Sequence, residues 1–205
     1  MDYEQLASEE AVATTAANLK KNGFEVEVVK TKKEALDFII KSIPPGSSVI
    51  NGASKTVSEI GFVEYLKSGD HGWNNLHKAI LDEKDVRKQG ILRKQATLAD
   101  CFVGGINAIS ETGELVIASG TGSQLPSIAY NSDFVFLVAG TQKITPTLED
   151  ALRRLREHVL PLEDQKMKGL GYPGTLLSKI LLYEKHRVQP GKRTVVILVQ
   201  EKLGF

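Results

Sequence analysis

The residues Asp100–Gly122, DCFVGGINAISETGELVIASGTG, decide the fold. Cys101-Phe102-Val103 is a short apolar run that stops at Gly104-Gly105. Leu115–Ala118 is a second, ending in Ser119-Gly120-Thr121-Gly122-Ser123. Short apolar runs bounded by glycine and small polar residues have the pattern of buried strands. Between them, Ser110-Glu111-Thr112-Gly113 puts a carboxylate on a turn. Two glycine-ended strands with an acid between them define a candidate site, because ligands of open α/β sheets bind beyond strand ends. Core strands joined by ordinary turns account for the same residues without any site.

Upstream, residues 2–21 read as an amphipathic helix closed by Asn22-Gly23, and Phe24–Val28 alternates as a half-buried strand does. Thr31-Lys32-Lys33-Glu34 is a capping box opening a helix over Ala35–Ile43, which Pro44-Pro45-Gly46 ends. Ser47–Ile50 is a brief strand that runs into Asn51-Gly52-Ala53-Ser54-Lys55-Thr56. In this loop small residues let backbone N–H groups converge, ahead of a helix expected over Val57–Leu66. Its spacing is not that of a phosphate loop, and Thr56-Val57-Ser58-Glu59 equally reads as a capping box. His71 and Trp73 belong to a turn-rich stretch expected to be packed down by its aromatic ring.

Downstream, Asp82–Leu98 is helical and basic, with Gly90 its expected weak point. A short helix is expected over Gln124–Tyr130. Asp133–Ala139 is a buried parallel strand, and Thr147–His158 a helix ended by Pro161. Leu176–Tyr183 suits strand or helix, and Thr194–Val199 closes the pattern as a strand. The alternation predicts one α/β domain over residues 1–205, with an N-terminal helix–strand–helix edge (1–44), a core unit (45–160) and a C-terminal loop and strand (161–205).

Composition narrows the function. A net charge of +1 argues against nucleic acid as an obligatory partner, which usually needs a strongly basic face, so none is expected. No apolar run is long enough to span a bilayer, and acids fill the first residues, so a cytoplasmic protein is expected. The one cysteine, Cys101, fits a reducing compartment and cannot build a cysteine metal cluster. Four scattered histidines lack ligand spacing, so no metal is expected. Gly120-Thr121-Gly122 has Leu125 where a dinucleotide fingerprint has its third glycine. No cofactor is therefore assigned. Glu111 is the carboxylate placed for nucleophilic or general acid/base work, if the 120–123 loop lies beside it; a surface turn acid is the other reading.

The run Ala99–Val116, ADCFVGGINAISETGELV, resembles the LUD-domain family of lactate-utilisation protein C. Asn51–Gly61 and the segment Val138–Ile144 with the helix after it are similar to the family's other blocks. The resemblance implies a three-layer α/β/α open, mostly parallel sheet of the NagB/RpiA/CoA-transferase-like type. Family I CoA transferases of that fold carry a catalytic glutamate in a Ser-Glu-Asn-Gly turn, to which Ser110-Glu111-Thr112-Gly113 is similar. The implied site has Glu111 as catalytic residue, with Gly52, Ala53, Ser54, Lys55, Thr56, Asn107, Gly120, Thr121, Gly122, Ser123 and Gln124 binding substrate. Gln124 stands where some relatives have an arginine.

The implied role is in L-lactate or organic-acid utilisation, as accessory subunit of an iron–sulfur oxidoreductase whose clusters lie in partner subunits. Two alternatives are a free-standing transferase or isomerase acting through Glu111 on a CoA-linked or phosphorylated molecule, and a ligand-binding protein without chemistry. Each implies a small anionic metabolite as partner, and a homodimer is compatible with all three.

Overall fold

In a computed structural model that describes residues 2–205, the elements run in the following order. The N-terminal part holds α1 (Glu9–Lys21), β1 (Glu25–Val29), α2 (Lys32–Ser42), β2 (Ser48–Asn51), α3 (Lys55–Glu59) and α4 (Phe62–Ser68). Then come β3 (Asn74–Asn75), α5 (Leu76–Asp82), α6 (Val86–Gln95), β4 (Cys101–Gly105), β5 (Ala108–Ser110) and β6 (Leu115–Ser119). The chain continues with β7 (Phe134–Gly140), β8 (Ile144–Thr145), α7 (Leu148–Arg154), α8 (Leu160–Gly169), β9 (Lys179–Tyr183) and β10 (Arg193–Val199).

Six strands form an all-parallel sheet in the order β1-β10-β7-β4-β2-β3. Its central strands are apolar on both faces, which explains their unbroken hydrophobic runs. Val195, Ile197 and Val199 of β10, with Phe136 and Val138 of β7, face a core shared with Ala35 and Ile39 of α2 and Phe62 and Leu66 of α4. The alternate residues Val196, Leu198, Val135 and Leu137 face Val12, Ala16 and Leu19 of α1 and Ile80 of α5. Helices thus flank a mostly parallel central sheet, as expected.

The stretch 100–122 does more than supply two strands to that sheet. Only β4 joins it. After Gly105 the chain crosses to a second, four-stranded sheet of order β8-β5-β6-β9, where β6 is antiparallel to both β5 and β9. Ile106 N–H still donates to Val138 of the main sheet, at 3.2 Å, while Asn107 N–H donates to Val116 of the second, at 3.1 Å. Residues 106–107 are the seam between the sheets. The far face of the second sheet is covered by Ala151, Leu155 and Val159.

Several boundaries differ from expectation, for local reasons. Ser54, not Thr56, caps the helix after β2, accepting from Val57 N–H at 3.4 Å. The helix expected over Val57–Leu66 is two short helices, because Gly61 takes a left-handed φ of 84°. The basic helical segment divides at Glu83–Asp85, where Asp85 caps α6, and not at Gly90. Pro161 does not end the long C-terminal helix. A π-turn over Leu155–Val159 precedes it, with Leu160 N–H donating five residues back to Leu155, and the widened turn carries the proline through to Gly169. Residues 127–131 likewise form a π-turn. Trp73 packs on Phe62 and His71, with ring centroids 6.2 and 4.9 Å away. Among the described residues no helix is long and apolar enough to cross a membrane.

Cys101 lies fully buried at the start of β4, and burial pushes its thiol up to about 11. The thiolate is the reacting species, so native protein is expected to resist iodoacetamide at pH 8. Intact mass should show one adduct only after denaturant is added. Rapid native labelling would mean that β4 opens on the labelling timescale.

Candidate functional site

The chain winds from β2 outward to β3, then returns past β2 to β4, β7 and β10. The direction of winding therefore reverses between β2 and β4, and loops leaving the carboxyl ends of such strands diverge to leave a crevice. A cleft of about 430 Å³ lies there, within the usual range for small-molecule sites. The loop after β2 supplies Gly52, Ala53 and Ser54, and α3 supplies Lys55 and Thr56. The seam supplies Ile106 and Asn107, the end of β6 leads into Gly120 and Thr121, and Lys143 enters from the turn after β7. Phe205 and Leu176 line it from the C-terminal part of the chain.

The loop after β2 and the loop after β6 meet, as the sequence led us to expect. Gln124 donates to the Ala118 carbonyl at 3.1 Å, and its amide oxygen sits where a Cβ on Gly52 would be. A Cβ on Gly105 would likewise overlap the Ser54 hydroxyl, so glycine at both places allows the close approach. Of the expected binding residues, Gly52, Ala53, Ser54, Lys55, Thr56, Asn107, Gly120, Thr121, Ser123 and Gln124 line the cleft. Gly122 does not; it makes the left-handed turn beneath, with φ of 86° and Lys179 alongside. Asn107 uses its side-chain oxygen to accept from Ala118 N–H at 2.7 Å, which fixes the seam to β6.

Glu111 is not in the cleft. It sits at the β5–β6 turn against the end of α1, where Asn18 donates to its carbonyl at 2.7 Å and its own N–H donates to Thr145 at 2.8 Å. Among the described residues its carboxylate has no hydrogen-bond partner. The acid that this turn organises is Glu114, which accepts from the hydroxyls of Ser110 and Thr112. Burial works to raise its carboxyl, but those two bonds outweigh it and hold the group below the usual range. The expected neighbourhood of Glu111 with residues 120–123 fails because the β5–β6 hairpin points its turn away from the strand ends that form the cleft.

The most unusual group in the cleft is Lys143. It is 3% exposed, and its ammonium donates to the Thr56 hydroxyl at 2.8 Å and to the Ile106 carbonyl at 2.9 Å. Among the described residues no carboxylate lies within ion-pair distance of it. Burial, reinforced by the positive charge of Arg154, pushes it down to about 7 against the partial opposition of Glu59. Arg154 is itself fully buried and bonded only to main-chain oxygens, of Asn107 at 2.6 Å, Phe205 at 3.3 Å and Tyr3 at 3.4 Å. Its Nε is without a partner. Lysine and arginine are rarely buried without an acidic side chain in contact, so this pair sets two buried cations beside the cleft.

The walls add to this charge. Lys55 lies at the rim with its ammonium 4.3 Å from the Phe205 ring centroid and only loosely paired with Glu59, at 3.7 Å. Arg93 of α6 also lines the cleft. His77 bonds to the Asn51 carbonyl at 3.1 Å through Nε2, and its Nδ1 is buried without a partner. Burial pushes this imidazole down, so it stays neutral at pH 7. Glu163 lines the cleft but is paired with Lys166 at 2.6 Å.

Lys143, Arg154 and His77 were not singled out from the sequence. One signal was present for Lys143: it follows directly on the carboxyl end of a buried parallel strand, the position from which such sheets bind ligands. His77 and Arg154 are helix residues among other polar residues, and their burial is a tertiary fact.

The fold is that of an open α/β protein, and the cleft at its winding reversal is lined by the cationic residues Lys55, Arg93 and Lys143. A family model described as "LUD domain" matches residues 12–199, and the chain belongs to the LUD-domain family. The chain is similar to the crystal structure of a DUF162 family protein from Deinococcus radiodurans, at 12% identity and a TM-score of 0.52. The match covers 95% of this chain and 99% of that one, and it supports the fold. Weaker likenesses are to eIF2B beta from Chaetomium thermophilum (14% identity, TM-score 0.37, 72% of this chain and 60% of that one) and to eIF2B delta from the same organism (14%, 0.36, 70% and 55%). No curated protein sequence matches this chain.

Proposed function

We propose that the cleft binds a small organic anion, and that the chain serves L-lactate or related organic-acid utilisation as an accessory subunit of an iron–sulfur oxidoreductase. One observation carries the binding reading: Lys143 lies buried at the cleft without an acid, next to a second buried cation in the same condition. An anionic ligand supplies the missing negative charge, and a dry site makes that pairing strong. The accessory role is supported by the family and by composition. Iron–sulfur clusters need several cysteine thiolates, and this chain has one, shut inside β4. Its residues do not fit a cluster, so the electron carriers of this scheme belong to other chains.

The test is titration calorimetry at pH 7 with L-lactate, pyruvate and oxamate. Wild type is expected to bind at least one of them. Lys143→Met should weaken that binding by roughly tenfold or more, since a charge-assisted bond contributes more than about 1.4 kcal/mol. Glu111→Gln should match wild type. Loss of binding in Glu111→Gln with full binding in Lys143→Met would place the site elsewhere. The physiological role predicts impaired growth on L-lactate when the gene is deleted, and unimpaired growth would remove it.

A further inference from the structure

The cleft contains a group whose chemistry goes beyond holding an anion. A lysine amine is a nucleophile only when it is unprotonated, and enzymes reach that state by desolvating the amine or placing it near other cations. Both conditions hold for Lys143: it is 3% exposed, and Arg154 bonds the Asn107 carbonyl, one residue along from the Ile106 carbonyl that holds Lys143. Its nitrogen is held by two bonds, to Thr56 at 2.8 Å and to Ile106 at 2.9 Å. Held in this way on the cleft wall, it meets a bound molecule in a restricted orientation, which is where proximity accelerates addition. Lys55 also lines the cleft, its side chain 43% exposed, and offers a second cation for the far end of a short ligand.

We propose that Lys143 forms an imine with a 2-oxo acid bound in the cleft, the ketone at its nitrogen and the carboxylate towards Lys55. This rests on the reading of the cleft as an organic-anion site and adds the ligand class and the reacting atom. The step balances without an external reagent. The nitrogen lone pair of the neutral amine adds to the ketone carbon, one nitrogen proton passes to the former ketone oxygen, and the carbinolamine hydroxyl then takes up the second nitrogen proton and leaves as water as the C=N bond forms. The Thr56 hydroxyl, in hydrogen-bond contact with the amine, is the group positioned to hand the proton across. The electropositive surroundings that favour the free amine also favour binding of the carboxylate before addition.

The experiment treats full-length protein with pyruvate and sodium cyanoborohydride near pH 7, followed by intact mass and peptide mapping, with oxamate calorimetry in parallel. Oxamate has the carboxylate but no reactive ketone. The expected result is one reduced adduct on Lys143, formed at least about tenfold faster than on any other amine, suppressed by oxamate and absent in Lys143→Met. Because mapping is done on wild type, the outcome does not depend on that variant folding. No selective adduct while oxamate binds would overturn the imine and leave the anion site standing. No adduct and no oxamate binding would overturn both. A selective Lys143 adduct that forms equally from neutral acetone, with no oxamate binding, would uphold the imine and overturn the anion reading. Equal labelling of Lys143 and surface lysines would overturn the imine.

Discussion

Lys143→Met is expected to fold into a protein more stable than wild type at pH 7 while losing its ligand. The folded state pushes this amine from 10.5 down to about 7. One pK unit corresponds to about 1.4 kcal/mol, so burying the group costs the fold on the order of 5 kcal/mol at neutral pH. Methionine fills similar space without a charge, but it leaves the Thr56 hydroxyl and the Ile106 carbonyl each short of a partner, at about 1–3 kcal/mol apiece. A net gain of about 1 kcal/mol remains, or roughly 2–4 °C in Tm for a chain of this size.

The pH dependence fixes the sign. Below about 7 both the folded and the unfolded lysine carry the proton, and the penalty is full and constant. Between 7 and 10.5 the unfolded chain binds the proton and the folded one does not, so wild-type stability climbs with pH. The Tm gap between Lys143→Met and wild type should therefore be widest at pH 7 and below, and shrink towards pH 10. Thermal melts at a series of pH values measure it. A gap that widened with pH, or a variant less stable at pH 7, would show that the buried amine is not under the stress described.

Arg154→Ala should behave in the opposite way. The guanidinium is fully buried and ties α7 to the carbonyl of Asn107 at the seam and to the main chain at Tyr3 and Phe205. Removing it leaves those oxygens without their donor and opens a cavity, at about 3–5 kcal/mol together. Tm should fall by roughly 10 °C or more. Arg154→Met fills most of the space and separates the charge from the packing. With one cation gone, and with Glu59 and Lys55 the remaining charged neighbours, the Lys143 amine should titrate higher than in wild type. The pH midpoint of pyruvate-dependent labelling should move up. An unchanged midpoint would mean that Arg154 is only structural.

Much of the architecture was legible because it rests on local patterning. Phe134–Gly140 and residues 195–199 are apolar on both sides of the pleat, and only a doubly covered parallel strand needs that. The Thr31–Glu34 capping box forms as the sequence reads. What the sequence did not disclose depends on distant partners. Leu176–Tyr183 suited strand or helix, and its strand, Lys179–Tyr183, is settled by pairing with β6 more than sixty residues earlier in the chain. Pro161 had the standing of a helix terminator, and a π-turn that no local pattern announces overrode it.

The site divides in the same way. The two small-residue loops were visible as candidates, because glycine and serine at strand ends are a local signature, and they do line one cleft. Glu111 had equal local credentials. Its fate was decided by the direction in which a three-residue strand, Ala108–Ser110, leaves the main sheet. Lys143 is the reverse case. Beyond its place after a buried strand, nothing in Gly-Thr-Gln-Lys-Ile announces a buried amine, and its character comes from Thr56, Ile106 and Arg154, which arrive from three other parts of the chain.

The seam at Ile106–Asn107 has a mechanical consequence. Between them these two residues hold a backbone bond to each sheet, and their carbonyls receive Lys143 on one side and Arg154 on the other. The joint is pinned by the same amine that meets a ligand. Drawing that amine into a new bond loosens one pin, while a ligand that reaches the loops of both sheets braces the joint across its open side. Load-sharing between the sheets and occupancy of the cleft are then a single variable, and amide exchange at Ile106 and Asn107, whose N–H groups bond one to each sheet, reads both at once.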